Sequence, residues 1–256
     1  MTSIAVRAGA GVGRITLDRP EQLNAINVEL GTELEHALRT LGSDPSVNVI
    51  VIRGAGGNFC AGGDFAEIER LRAQGPAALR TLFAAFRGAC DSIAEIGVPV
   101  VAAVEGVAAA GGFELMQAAD VVLVSDDARI ADNHIRFGMI PGGGSTQRLP
   151  RLIGRQQALG VLLSGDRLSG TDAVRLGLAY RNFPQDEFLA ATEGFVDVMA
   201  ARERSALVAI KRLVVDGLQK PLASGIDDEL SEVVRHISEG AGRNGASAFN
   251  QRGGNS

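Results

Sequence analysis

The sequence predicts an α/β body followed by a helical C-terminal region. Three observations carry this. Short apolar runs alternate with amphipathic segments over the first 130 residues; those runs are continuous rather than alternating; and after about residue 145 only helical patterns remain. Continuous apolar strands are buried on both faces, the habit of sheets covered by helices.

Ile4–Val6 and Gly13–Asp18 read as two short strands around the glycine turn AGAGVG. A helix follows from Asn27 to Leu41, with Leu30, Leu34, Leu38 and Leu41 at helical spacing and Asn27 as its N-cap. Val47–Arg53 (VNVIVIR) is a buried strand. Pro76–Ile96 carries Leu79, Leu82, Phe83, Phe86, Ala89, Cys90 and Ile93 on one stripe, which predicts a long helix. Val100–Val104, Val121–Val124 and Ala128–Ile130 read as further strands, and an apolar helix starts near Gly111. Arg155–Leu163, Thr171–Leu176, Phe188–Ala201, Arg204–Val215 and Ser224–Glu239 are the later helix candidates. The expected division is a core over residues 1–195 and a helical region over 196–256. No interior stretch has the length or composition of a flexible linker.

Composition narrows the function. Glycine supplies 33 of 256 residues, about twice the usual share. There is no Gly-X-Y period, so the excess serves turns with positive φ or close approach of backbone to a ligand. With 25 basic against 30 acidic residues the net charge is −5, which offers no basic footprint for nucleic acid. No apolar run approaches the ~20 residues of a membrane span, and the N-terminal stretch MTSIAVRAGAGVGRI lacks the pattern of a signal peptide. Cys60 and Cys90 have no metal or disulfide spacing, the usage of buried, reduced thiols in a cytoplasmic protein.

The glycines fall in three clusters after buried strands: RGAGGNFCAGGD (Arg53–Asp64), EGVAAAGGFEL (Glu105–Leu115) and FGMIPGGGSTQRL (Phe137–Leu149). None is a phosphate loop or a dinucleotide fingerprint. Taken singly, each can be a set of tight turns. Two such turns meeting in space would instead form an oxyanion hole, and the second opens a helix whose first amides are free. Glu114, early in that apolar helix, is either a carboxylate stabilised by the helix dipole or an acid/base group raised in pKa by burial.

Five blocks in order resemble the crotonase, or enoyl-CoA hydratase/isomerase, superfamily: DRPEQLNAIN (Asp18–Asn27), NFCAGGD (Asn58–Asp64), AAVEGVAAAGGFELMQAAD (Ala102–Asp120), GMIPGGGSTQRLPRLIG (Gly138–Gly154) and GASAFNQR (Gly245–Arg252). The resemblance implies a crotonase-like spiral of ββα units with a helical C-terminal trimerisation region. It implies an acyl-CoA thioester as substrate, no cofactor beyond the coenzyme A that the substrate carries, no metal, and a homotrimer or dimer of trimers. By the same alignment the amides of Gly63 and Gly111 hold the thioester oxygen, Glu114 is an acid/base group, and Asn24, Ala25 and Ala61 are coenzyme A contacts, with Arg252 near its phosphate. Asp64, Asp120, Gln147 and Arg148 are expected to be structural.

One position departs from the family pattern. Where a second glutamate is expected, seven residues before Pro141, this chain has His134, preceded by Asn133 rather than proline. Three readings are open: His134 replaces the glutamate; Glu114 works alone while His134 and Asn133 position water or substrate; or His134 is structural and hydration is lost. Asp132 is expected to point elsewhere if the segment is extended. The implied activity is hydration of a 2-enoyl-CoA in fatty acid metabolism. The alternatives are double-bond isomerisation or other enolate chemistry, a non-catalytic acyl-CoA-binding homologue, or a hydrolase of the same fold that does not use coenzyme A. The Arg-bearing stretch from Phe65 to Pro76 is expected to line the acyl pocket.

Overall fold

A computed structural model describes residues 2–240. The expected coenzyme A contact Arg252, with its block Gly245–Arg252, lies outside the described residues. The chain divides into a first compact unit, Met1–Ala201, and a second beginning at Arg202.

The first unit is built on a six-stranded sheet. Strands β1 (Ile4–Gly9) and β2 (Val12–Leu17) form an antiparallel hairpin. Its two-residue loop places Ala10 at φ +52° and Gly11 at φ +79°, as hairpin turns matched to strand twist require. Parallel to β2 run β3 (Val49–Gly54), β4 (Val100–Val104), β6 (Val121–Ser125) and β8 (Arg181–Phe183), in the order β1-β2-β3-β4-β6-β8. All five residues of β4 are buried, so the apolar run is covered on both faces, as its lack of alternation predicts. On one side Val12, Val49, Val51, Val101, Ala103 and Leu123 pack with Phe188 and Val196 of a later helix, Phe188–Ala200.

Helices α1 (Val28–Ser43) and α3 (Pro76–Glu95) pack together, with the short α2 (Phe65–Ala73) between them in sequence. Asn27 caps α1 as expected, its side chain accepting from the Leu30 amide at 2.8 Å. Asp64 caps α2, accepting from the Glu67 amide at 3.2 Å, and its other oxygen takes Arg19 at 2.8 Å. The stretch after Phe65 is therefore a helix, not merely a lining segment. Its apolar content is too sparse for periodicity to reveal it.

A smaller layer positions the site. Strands β5 (Val107–Ala109) and β7 (Arg129–Ala131) pair in parallel. Isolated bridges extend this layer through Cys60 to Ala108, Ile26 to Gly63 and Ile130 to Leu168. The segment holding Gly63, the helix α4 (Gly111–Ala118) after β5, and the turn His134–Phe137 after β7 all leave the same layer.

Beyond the site come α5 (Ser145–Ile153), α6 (Arg155–Ser164), α7 (Gly170–Leu176) and α8 (Phe188–Ala200). Helix α5 contains Pro150, which reads in sequence as a helix breaker. The expected boundary between 195 and 196 falls inside α8. The second unit contributes α9 (Arg204–Gly217) and α10 (Leu222–Ser238), with Lys220 of the connection between them pairing to Asp228 of α10 at 2.6 Å.

The cap gives a stability prediction. Asn27→Ala should lower unfolding free energy by about 1 kcal/mol, read as a lower urea midpoint at unchanged slope. An unchanged midpoint would show that the cap is not needed.

Candidate active site

A cavity of about 100 Å³ opens between α2, α3, α4 and the segment after β7. Its wall is mostly apolar: Ile26, Ile68, Leu82, Phe83, Phe86, Met139 and Ile140. At its mouth Phe65 and Phe137 meet edge to face at 5.4 Å between ring centres. Polar groups converge at one end, where Gly63, Gly111, Glu114, Asn133 and His134 line it.

The segments that carry the two expected oxyanion amides meet at a close backbone crossing. Ile26 donates to Gly62 and accepts from Asp64, at 2.7 and 2.9 Å. In such a parallel bridge the residue between the two partners, Gly63, aims its own N–H away from Ile26. Gly111 is the first residue of α4, so its amide has no acceptor within the helix. The crossing leaves no room for side chains. A Cβ on Gly62 (φ +103°) would sit 2.7 Å from Ala110 Cβ and 3.1 Å from the Gly111 nitrogen. Ala110 itself sits at φ +47° and ψ −115°, a region that alanine rarely adopts. Strain there turns the chain sharply from β5 into α4 and fixes the direction of the Gly111 amide.

Glu114 is buried, with 2% of its surface exposed. One oxygen, Oε1, accepts from the amides of Gly143 at 2.7 Å and Ser145 at 3.1 Å. Both donors lie at the start of α5. The carboxylate is thus held by the third glycine cluster rather than by its own helix. Arg148 braces that cluster, donating to the Gly143 carbonyl and to Asp91 at 3.0 Å. Gln117 steadies it too, donating to Ser145 Oγ at 3.0 Å. The other carboxylate oxygen, Oε2, is 3.9 Å from His134 Nε2. Burial raises the Glu114 pKa, against the lowering effect of the two amides and His134.

His134 is also buried. Its Nδ1 lies 2.7 Å from Asp132 Oδ1. Burial pulls the imidazole pKa down, but the hydrogen bond and charge of Asp132, with the charge of Glu114, outweigh it and the net shift is upward. The expectation that Asp132 points elsewhere is corrected: the segment is not extended there, because the chain turns at Asn133 (φ −98°, ψ 10°) into the turn His134–Phe137, and the carboxylate lies against the ring. Its signal was present in the sequence as Asp-x-His.

The remaining expected residues divide. Ala61 lines the cavity, whereas Asn24 and Ala25 lie outside its lining. Asn24 is fully buried at φ +58°, accepting from the Arg19 amide and donating to the carbonyls of Ala55 and Asn58. Its side chain is a bracket between loops. Asp64 and Asp120 are structural as expected, the latter accepting from the Val100 amide at 2.7 Å. Both cysteines are free and buried, and burial pushes each thiol up to about 12. Among the described residues no cluster of three potential metal ligands occurs, and no helix is long and apolar enough to cross a membrane.

A family model described as enoyl-CoA hydratase/isomerase matches residues 7–255. The chain belongs to the enoyl-CoA hydratase/isomerase family. Among its relatives, a "probable enoyl-CoA hydratase" of Rhizobium meliloti is 34% identical over 224 residues, covering 88% of this chain and 85% of that one. The mitochondrial enoyl-CoA hydratase of Pongo abelii is also 34% identical, over 84% of this chain and 72% of its own. Among solved structures, an enoyl-CoA hydratase from Polaromonas sp. JS666 superposes with a TM-score of 0.93 at 29% identity, covering 97% of both chains. One from Bacillus anthracis gives 0.91 at 28% identity, covering 98% and 96%. The layered sheet and its small second layer are therefore the crotonase fold.

The buried Glu114 carboxylate makes a stability prediction for this family member. Its raised pKa means that the folded chain binds the proton more tightly than the unfolded one. That contribution to stability is present at low pH and is lost as pH rises through the raised pKa. Glutamine does not titrate and can still accept from both amides. The Tm of Glu114→Gln relative to wild type should therefore rise as pH is raised above the ordinary glutamate value of 4.5. A difference that is flat or falls over that range would contradict the burial argument.

Proposed function

We propose that this protein adds water across the 2,3-double bond of an enoyl-CoA thioester. The observation that carries this reading is the pairing, at the polar end of an otherwise apolar cavity, of Glu114 Oε2 with His134 Nε2 at 3.9 Å. Two acceptors at that separation can share one water molecule, each taking one of its hydrogens. The lone pair of that water is then left for the β-carbon of the substrate.

The steps balance without a further reactant. The thioester oxygen sits between the amides of Gly63 and Gly111. Water attacks the β-carbon and the C=C electrons move to the thioester, so the oxygen takes on enolate charge. Two preorganised amides stabilise that charge, a single donor of this kind being worth about 3–4 kcal/mol. The α5 dipole and the two amides on Oε1 keep Glu114 from rotating out of line. The water's proton passes to the Glu114–His134 pair, and a proton from the pair returns to the α-carbon as the enolate collapses. The apolar wall of Leu82, Phe86 and Met139 receives the acyl chain and keeps bulk water out. Coenzyme A is a portion of the substrate, and the reaction as drawn calls on no other cofactor and no metal.

The proposal extends to assembly and location. The second unit exposes apolar side chains along α10: Leu222 at 81%, Ile226 at 56%, Leu230 at 62% and Ile237 at 63%. Large exposed apolar faces mark interaction surfaces. They support a homotrimer or dimer of trimers joined through this region; the free, buried Cys60 and Cys90 suit a reducing compartment such as the cytoplasm.

Two experiments follow. With crotonyl-CoA, mass spectrometry should detect a gain of one water. Glu114→Gln and His134→Ala should each lower kcat by about 10²–10⁴-fold with a smaller change in KM. Full activity in Glu114→Gln would refute the assignment, as would conversion of 3-enoyl to 2-enoyl thioester without hydration by the wild type. For assembly, light scattering should give a multimer for the wild type and a smaller species for the double variant Ile226→Asp, Leu230→Asp. A monomeric wild type would refute the assembly.

A further inference from the structure

Asp132 carries an inference that rests on the proposed hydration and goes beyond it. This carboxylate is 1% exposed. Its Oδ1 meets His134 Nδ1 at 2.7 Å, while its Oδ2 is buried with no hydrogen-bond partner. Asp64, by contrast, uses both oxygens, one on a helix amide and one on Arg19. Burying a carboxylate with one oxygen unsatisfied is costly. Here the cost is offset by a single contact, and that contact is with the imidazole.

The chemistry of the contact fixes the ring. An ionised carboxylate only accepts hydrogen bonds, so the ring nitrogen facing it must carry a proton. In the neutral imidazole the other nitrogen, Nε2, is then an acceptor, and Nε2 is the atom that faces Glu114 Oε2. We propose that Asp132 is a positioning residue that holds the proton on His134 Nδ1 and so presents Nε2 to the cavity as an acceptor, making the histidine a counterpart of the Glu114 carboxylate. With the opposite tautomer, Nε2 would donate toward Glu114, and the site could not hold a water by both its hydrogens.

The groups around the ring are few. Asp132 faces it from its own segment and Glu114 from α4. The cavity wall beside it is apolar, with the Asn133 amide as its neutral polar member. Arg136, on the same turn, is exposed, as is Arg155, the one ionisable side chain of α6 beside that turn. The upward shift of the imidazole accords with the two carboxylates outweighing burial.

The test is nitrogen NMR of the histidine rings in the full-length protein, alongside pH–rate profiles. His134→Gln identifies the His134 signals against those of His36 and His236. In the wild type the neutral ring of His134 should carry its proton on Nδ1 and titrate above the ordinary value of about 6.5. Asp132→Asn should lower that titration, and Asp132→Ala should also mix the tautomers. In Asp132→Asn kcat should fall about 10- to 100-fold with KM little changed. The acid limb of the kcat profile should move to lower pH, because the neutral ring then persists further down. A wild-type ring protonated on Nε2 would overturn the proposal without any variant having to fold. So would an Asp132→Asn enzyme, slower or not, whose titration and pH profile match the wild type. If the tautomer follows Asp132 while no enoyl-CoA is hydrated, the proposed function fails and the positioning role stands.

Discussion

The site depends on one constraint: a carboxylate held in an apolar cavity by backbone amides from another segment. Glu114 could not remain there with its charge unmet. The Gly143 and Ser145 amides meet it, and the geometry that aims them consumes the third glycine cluster. A Cβ on Gly143 would lie 2.2 Å from Phe86 and 3.0 Å from Glu114 Oε2. Arg148 and Gln117 then brace the cluster. Phe86 closes the remaining side and belongs to the buried stripe of α3. The position of one oxygen atom is thus set by three helices and a loop, and its partner oxygen is left facing His134.

The same economy explains the small second layer. Its strands are too short to contribute much burial of their own, but they end where the candidate site residues begin. Gly63 follows the Cys60 bridge, Gly111 follows β5, and His134 follows β7. The large sheet supplies rigidity, and the small layer converts that rigidity into the placement of two amides and one ring. Strain at Ala110 is tolerated because the packing around Gly62 and Gly111 leaves the backbone no other course.

Much of this was legible in the residues. Leucine spacing and an asparagine cap define α1, and the apolar run Val100–Val104 announces a strand covered on both sides. The glycine clusters and the family resemblance located Gly63, Gly111, Glu114 and His134. What escaped were features decided by tertiary contact. Helix α5 holds Pro150, which local propensity rejects and packing accepts. Strands β5 and β8 are three residues each, below any usable period. Asn24 matched a ligand-contact position, and the structure adds a role the residues did not announce: its side chain brackets two loops. Asp132 was misjudged because the expectation assumed an extended segment, whereas the chain turns at Asn133 and closes the carboxylate on the imidazole.

The central claim is that Glu114 and His134 act as one unit across a shared water. Residues acting as a unit are non-additive, so a double-mutant cycle measures the claim directly. Crotonyl-CoA hydration would be timed for Glu114→Gln, His134→Gln and the double variant. The account predicts a double variant within about threefold of the slower single one, the small residue expected when coupled groups are already broken. Losses that multiply would show two independent groups and would contradict it.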